Sequence, residues 1–74
     1  MDRDERELRR LLAVNVHRYR GTLGLSVEEA AERGDLARRQ WQKVEAGEAN
    51  ATLRTLARLS RALHVAVPLL FVEP

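Results

Sequence analysis

The sequence has no cysteine, only one lysine and no long apolar run. The absence of cysteine excludes a disulfide framework and any thiolate chemistry. The longest apolar stretch, from Val65 to Val72, is far too short to span a bilayer. The first thirty residues contain no apolar run of the kind found in signal peptides. We therefore expect a cytoplasmic protein that does not bind membranes.

Groups that could carry catalysis or bind a metal are also missing. The sequence has no glycine-rich phosphate loop and no cluster of histidine and carboxylate residues. Its two histidines, His17 and His64, are far apart, and we expect surface or capping roles for both. Glu28 and Glu29 are adjacent, but neighbours on a helix point about 100° apart and do not form a paired-carboxylate site. We predict no enzymatic activity, no metal site, no cofactor and no small-molecule ligand.

The charge of the chain is small but unevenly distributed. The net charge of +2, with a pI near 9.9, is by itself a weak argument for nucleic-acid binding. Residues 51–72, however, contain Arg54, Arg58 and Arg61 and no carboxylate. Arginine, which supplies nearly all the cations, suits bidentate contacts with phosphate and guanine, although a GC-rich genome would give the same bias. Composition leaves both explanations open.

Helix signals dominate, and we predict an all-α fold of five short helices in one domain, residues 1–74. On the fourth helix the predicted buried stripe is Leu53, Leu56, Leu59 and Leu63. Cap and breaker residues give the helix boundaries. These are Asp2 and Asp4, Gly21 and Gly24, the capping box of Ser26 with Glu29, Gly34-Asp35, Gly47, Thr52 and Pro68.

Four short runs carry a family resemblance. They are Gly24-Leu25-Ser26-Val27-Glu28-Glu29-Ala30-Ala31, Trp41-Gln42-Lys43-Val44-Glu45-Ala46-Gly47, Asn50-Ala51-Thr52-Leu53-Arg54-Thr55-Leu56 and Ala62-Leu63-His64-Val65. On these runs, in register from Val16 to Phe71, the chain resembles the phage-repressor-like helix-turn-helix family often called Xre. The resemblance implies a five-helix DNA-binding domain with the helix-turn-helix at residues 26–46. Residues 1–14 then extend the first helix, and residues 64–74 form a dimerisation segment.

The resemblance also assigns roles to individual residues. The third helix reads bases in the major groove, through Arg38, Arg39, Gln42 and Lys43 with Gln40 beside them. Arginine and lysine donate to guanine and glutamine pairs with adenine, so the chemistry suits this role. Arg18, Asn50 and Thr52 are assigned to DNA phosphates. Arg20 and Glu45 are expected to form a partly buried salt bridge that holds the third helix on the scaffold.

Several positions depart from the family pattern. Val27 stands where a glutamine often contacts a phosphate, so that contact should be absent. Ala37 cannot cap the third helix, and Asp35 is expected to substitute. His64 replaces a glycine and would be mildly strained if left-handed. Trp41 replaces a medium aliphatic residue, and we expect its indole to fill the space left by the small residues Ala30 and Gly34.

The resulting hypothesis is a sequence-specific transcriptional regulator, expected to be a repressor, associated with the nucleoid. It would bind a palindromic operator as a homodimer, since the terminal helix is too apolar for a monomer. Small standalone repressors and restriction–modification controllers share this pattern. The alternative is a protein-interaction module: a helix-turn-helix scaffold whose charged face is merely solvated and whose phosphate contacts have been lost. The positions that suggest such a loss are Val27, Asp35 and Ala46. An antitoxin that regulates its own operon is a variant of the regulator hypothesis. The expected dimer residues are Val67, Leu69, Phe71 and Val72.

Overall fold

The computed structural model describes residues 2–74 and contains four α-helices and one short 3₁₀ helix. The α-helices are α1 (Arg3–Thr22), α2 (Val27–Arg33), α3 (Arg38–Glu45) and α4 (Leu53–Leu63), and the 3₁₀ helix is Val67–Phe71. No strand occurs among these residues. The all-α prediction is therefore confirmed, whereas the count of five α-helices is wrong.

The helices begin where side chains satisfy free backbone N–H groups. The Asp2 carboxylate accepts from Glu5 N at 2.8 Å, and Ser26 and Glu29 form the predicted reciprocal capping box. Thr52 Oγ1 accepts from Thr55 N at 3.1 Å and starts α4. These caps fix the boundaries of α1, α2 and α4 from local sequence alone.

The start of α3 differs from the expectation. Its N-cap, Ala37, has no side-chain acceptor, and Gln40 Oε1 instead accepts from Ala37 N at 2.9 Å. Asp35 does not cap; it occupies the left-handed turn position at φ +54°, and its carboxylate lies 3.6 Å from Arg58 Nη2. Gln40 thereby satisfies the backbone N–H of the N-cap, which is one half of a capping box; Ala37 cannot supply the other half.

The core is centred on Trp41 of α3, which is completely buried. The buried cluster to which Trp41 belongs also contains aliphatic side chains from all the other helices. Leu59 and Leu63 lie on the inner face of α4, and Leu70 is the buried residue of the 3₁₀ helix. The remaining core members are Leu12, Val16, Leu25, Ala30, Ala31, Leu36, Val44 and Ala62.

The helices α2 and α4 meet at Gly34. A Cβ built on Gly34 would lie 3.0 Å from Arg58 O and 3.3 Å from Ala62 Cβ. The space beside Gly34 is thus occupied by α4. The expectation that the Trp41 indole fills it is wrong at this position, because the close approach of two helix backbones uses the room first.

The C-terminal segment forms a short 3₁₀ helix with Pro68 at its second position. Leu69 N donates to Ala66 O at 3.0 Å, an i→i+3 bond, and the chain turns extended again at Val72. Buried Asn15 holds the segment, since its Nδ2 group donates to Leu70 O at 2.9 Å and to Val72 O at 2.8 Å. Sequence reasoning did not single out Asn15, because a polar residue on a long helix resembles any solvated one.

Some predicted core residues are exposed. Leu53, placed in the buried stripe of α4, is 85% exposed, whereas the other members of that stripe, Leu56, Leu59 and Leu63, lie in the core or pack against it. Leu8 and Leu23, which continue the apolar spacing of the buried Leu12 and Val16 along the first helix, are exposed as well. His64 caps α4 in the left-handed conformation at φ +56°, which is the strained arrangement expected for a residue replacing glycine.

Candidate nucleic-acid interface

One face of α3 is buried and the other presents cations to solvent. Trp41 and Val44 point into the core and fix the rotation of the helix. Arg39 and Lys43 are exposed, lie one turn apart and share the opposite face. The first turn of α3 contains no acidic residue. This face therefore carries two positively charged hydrogen-bond donors on a short helix of a size that fits the major groove.

The four cationic and amide residues assigned to base reading are all exposed, but they differ in what they contact. Within residues 2–74 the side chains of Arg39, Gln42 and Lys43 have no hydrogen-bond or ion-pair partner. Arg38 at the first position of α3 pairs with Glu28 of α2, with 3.3 Å between Nη1 and Oε1. The structure thus places three unpaired side chains on this face, whereas the fourth, that of Arg38, forms an ion pair with Glu28.

Gln40 lies at the edge of this face and is engaged locally. Its Oε1 atom accepts from Ala37 N, as described above, and both donors of its amide nitrogen stay available for another partner. Gln40 and Lys43 line a shallow depression of about 210 Å³ together with Asn50 and Thr55. Asn50 is thereby placed next to the cationic face, at the loop between α3 and α4.

The other two residues assigned to phosphates have structural partners. Thr52 caps α4, and its hydroxyl also lies 3.1 Å from that of Thr55. Arg18 donates to Asn15 Oδ1 at 3.2 Å, and its guanidinium lies 4.7 Å from the ring centroid of Tyr19. The structure does not place Arg18 beside the cationic face of α3, because it lies on α1 in a surface depression shared with His17 and Glu45.

Glu45 fixes the C-terminal end of α3 to α1. Its carboxylate accepts from Arg20 Nε at 2.6 Å and from Arg20 Nη2 at 2.9 Å. Trp41 Nε1 donates to the same carboxylate at 2.5 Å, and His17 Nδ1 lies 2.8 Å from it. Arg20 also donates to Leu25 O at 2.9 Å, so one guanidinium connects α1, the loop before α2, and α3.

The electrostatics of this network favour the charged form of Glu45. Burial alone would raise the pKa of Glu45, but the hydrogen bonds from Arg20, His17 and Trp41 outweigh it and lower the pKa to about 2. The pKa of Arg20 is raised, chiefly by its hydrogen bond to Glu45. The acid on α3 is thus paired with side chains of α1 and is not available to pair with Arg39 or Lys43.

No helix within residues 2–74 has the length and apolar character needed to cross a membrane. The same stretch contains no group of three or more histidine or carboxylate side chains that could hold a metal ion.

Comparison with known proteins identifies relatives at the levels of domain and sequence. A family model described as helix-turn-helix, HTH_3, matches residues 16–70. The chain is 42% identical over 67 residues to the control protein C.SmaI of Serratia marcescens, a match that covers 90% of this chain and 80% of that protein.

Two solved structures resemble the fold closely. A hypothetical transcription factor, NHTF from Neisseria, superposes with a TM-score of 0.87 at 34% identity and covers 95% of this chain and 80% of its own. The restriction–modification controller protein C.AhdI from Aeromonas hydrophila superposes with a TM-score of 0.81 at 28% identity, covering 85% of this chain and 96% of its own. The likeness therefore extends over nearly the whole fold.

Proposed function

The chain belongs to the helix-turn-helix family HTH_3, and on that premise we propose that it is a DNA-binding transcriptional regulator of the restriction–modification controller type. Its relatives support the proposal, since C.SmaI is named a control protein and C.AhdI a restriction–modification controller. The regulator acts by binding operator DNA and associating with the nucleoid, without catalysis of its own. Repression is the mode we propose.

The observation that carries this proposal is the division of α3 into two faces. Trp41 and Val44 anchor the helix in the core, and Glu45 is neutralised by Arg20. Arg39 and Lys43 are exposed on the opposite side. A helix fixed in rotation by its buried face presents the same donors to DNA in every molecule, which is what base readout requires.

We further propose that two copies bind a palindromic operator together. The 3₁₀ helix leaves Leu69 44% exposed and the adjoining Val72 53% exposed, while Val67 and Phe71 are half-buried. Apolar side chains left in water next to one another favour association. A two-fold pair would present its two α3 helices to successive major grooves, roughly 34 Å apart.

Selection of bound DNA from a random pool tests the function directly. We expect the chain to enrich a palindromic sequence, and Arg39→Ala and Lys43→Ala each to weaken binding to it at unchanged fold. Affinity should fall steeply with salt because bound cations displace counterions from phosphates. Arg33→Ala is the control, since Arg33 is an exposed cation on α2 and outside α3.

The outcomes separate the proposal from its rival. Loss of affinity with Arg39→Ala but not with Arg33→Ala supports base reading by α3. Negligible affinity for all DNA at low salt would instead favour a protein-interaction module on the same scaffold.

A further inference from the structure

A carboxylate stands beside the first base-reading residue of α3. Glu28 lies in the first turn of α2, and its Oε1 atom is 3.3 Å from Arg38 Nη1. Both side chains are largely exposed, at 69% for Glu28 and 62% for Arg38. This contact connects the exposed surfaces of the two helices of the helix-turn-helix directly.

The helix dipole favours an acid such as Glu28 in the first turn of α2, but the capping of that helix does not use it. The capping box uses Glu29, whose Oε1 accepts from Ser26 N at 2.9 Å and whose pKa is lowered first by that backbone hydrogen bond. Val27 cannot make the phosphate contact expected at its position. Glu28 is therefore the charged residue of this turn that reaches toward α3, although a negative charge beside DNA is unfavourable for affinity.

The geometry of arginine gives such a carboxylate a use. A free arginine side chain loses considerable rotamer freedom when it is fixed on a base. The guanidinium has five N–H donors in a rigid fork, so one Nη group can bond to a carboxylate while others donate elsewhere. A carboxylate that already restrains the guanidinium lowers the entropy cost of its contact with a base. It also limits which base edge the guanidinium can reach.

We propose that Glu28 is a positioning residue for base readout, holding the Arg38 guanidinium so that it discriminates at one base pair of each half-site. The inference rests on the proposed DNA-binding function and deepens it. Glu28 contributes specificity at the expense of general affinity, because its charge repels phosphates in every sequence. Arg39 and Lys43 have no such tether and keep their freedom to contact other positions.

The test compares the DNA motifs selected by variants of the full chain. Arg38→Ala marks the base pair that Arg38 reads. Glu28→Ala should reduce discrimination at that same base pair by about three- to tenfold, a part of what a good bidentate contact supplies. Glu28→Gln removes the same charge but keeps an acceptor oxygen, and we expect it to retain part of the discrimination.

Glu32→Ala is the matched control, since it removes an exposed acid from the same helix. It should change the affinity for all DNA sequences alike and leave the selected motif unchanged, because the removal of a negative charge acts on phosphates in every sequence. Circular dichroism and urea denaturation verify that all variants fold. If Glu28→Ala selects the wild-type motif, the positioning role is overturned, whereas a wild-type chain that enriches no motif refutes the proposed function itself.

Discussion

Glu45 makes more polar contacts than any other carboxylate within residues 2–74. Three side chains from two helices converge on it, from Arg20, His17 and Trp41. Burial of a carboxylate in this position costs desolvation energy, and the interactions with all three partners are needed to offset that cost. Its role is therefore to fix one end of α3 relative to α1.

Stability should depend on pH through this carboxylate. The pKa of Glu45 is lowered from an ordinary 4.5 to about 2. The stabilisation is present above the unfolded pKa and is lost as pH falls through the folded one, so it disappears between about pH 4.5 and pH 2. The loss is at most about 3 kcal/mol. Urea denaturation of the wild type between pH 5 and pH 2 measures it.

Glu45→Gln is the control for this pH dependence. Its amide oxygen can still accept from Arg20 or Trp41 but does not titrate, so its free energy of unfolding should decline less over the same interval. Should the variant lose stability as steeply as the wild type, other carboxylates such as Glu29 would be responsible. A ¹³C NMR titration of the Glu45 carboxyl group in the wild type measures the pKa directly if the variant folds poorly.

The residues of this network differ in how far the sequence revealed them. The family resemblance pairs Arg20 with Glu45, and the structure places them 2.6 Å apart. Nothing in the sequence indicated that His17 lies beside Glu45 or that the Trp41 indole donates to it. These contacts depend on the rotation of α1 against α3, which only the packed core determines.

Among the helices, those with strong local signals were predicted well and those set by packing were not. The capping box of Ser26 and Glu29 fixes the start of α2 whatever surrounds it. The terminal segment is different, because Pro68 favours any helix start, and the hydrogen bonds that hold the segment come from Asn15, which is distant in sequence. Leu53 fits an apolar stripe by spacing, yet it is exposed while Leu56 of the same turn packs against the core.

The close approach of α2 and α4 gives a prediction about Gly34. Its φ of −89° suits any residue, so the effect of Gly34→Ala comes from space rather than from strain. The new Cβ would meet Arg58 O at 3.0 Å, and the helices must separate. We expect a loss of about 1–3 kcal/mol in the free energy of unfolding, measured by urea denaturation.

Gly21→Ala is the matched control for the helix contact. Gly21 lies in the last turn of α1, and a Cβ there meets nothing within 4 Å. Alanine in a helix is favoured over glycine, so this variant should gain roughly 0.5–1 kcal/mol. Equal effects of the two substitutions would show that α2 and α4 tolerate a wider separation than the structure indicates.

In the molecule as a whole, one small core both stabilises the fold and holds α3 in position. A chain of 74 residues buries a limited core, about 60% of its unfolded surface at this size. Trp41 is a fully buried member of that core and also belongs to α3, the helix proposed to read bases. Position and stability of the candidate interface are therefore coupled, and surface variants of α3 test recognition more cleanly than core variants.

The proposed dimer is a property of the whole molecule, and the exposed apolar residues after α4 test it. Leu69→Asp combined with Val72→Asp should leave the fold intact, because both side chains are substantially exposed. Charges placed in an apolar contact are costly, so the variant should sediment as a monomer at micromolar concentration while the wild type sediments as a dimer. Operator affinity should fall with it, since two linked half-sites are bound more tightly than one.

Leu23→Asp is the control for the dimer, because Leu23 is 42% exposed, close to the 44% of Leu69, but lies at the C-cap of α1. It should leave both sedimentation and operator affinity unchanged. A wild-type chain that sediments as a monomer at micromolar concentration would contradict the dimer while leaving DNA binding by a single α3 open. If Leu23→Asp disrupted the dimer and the double variant did not, the dimer contact would lie at the end of α1 instead. An exposed side chain affects association only where the partner covers it.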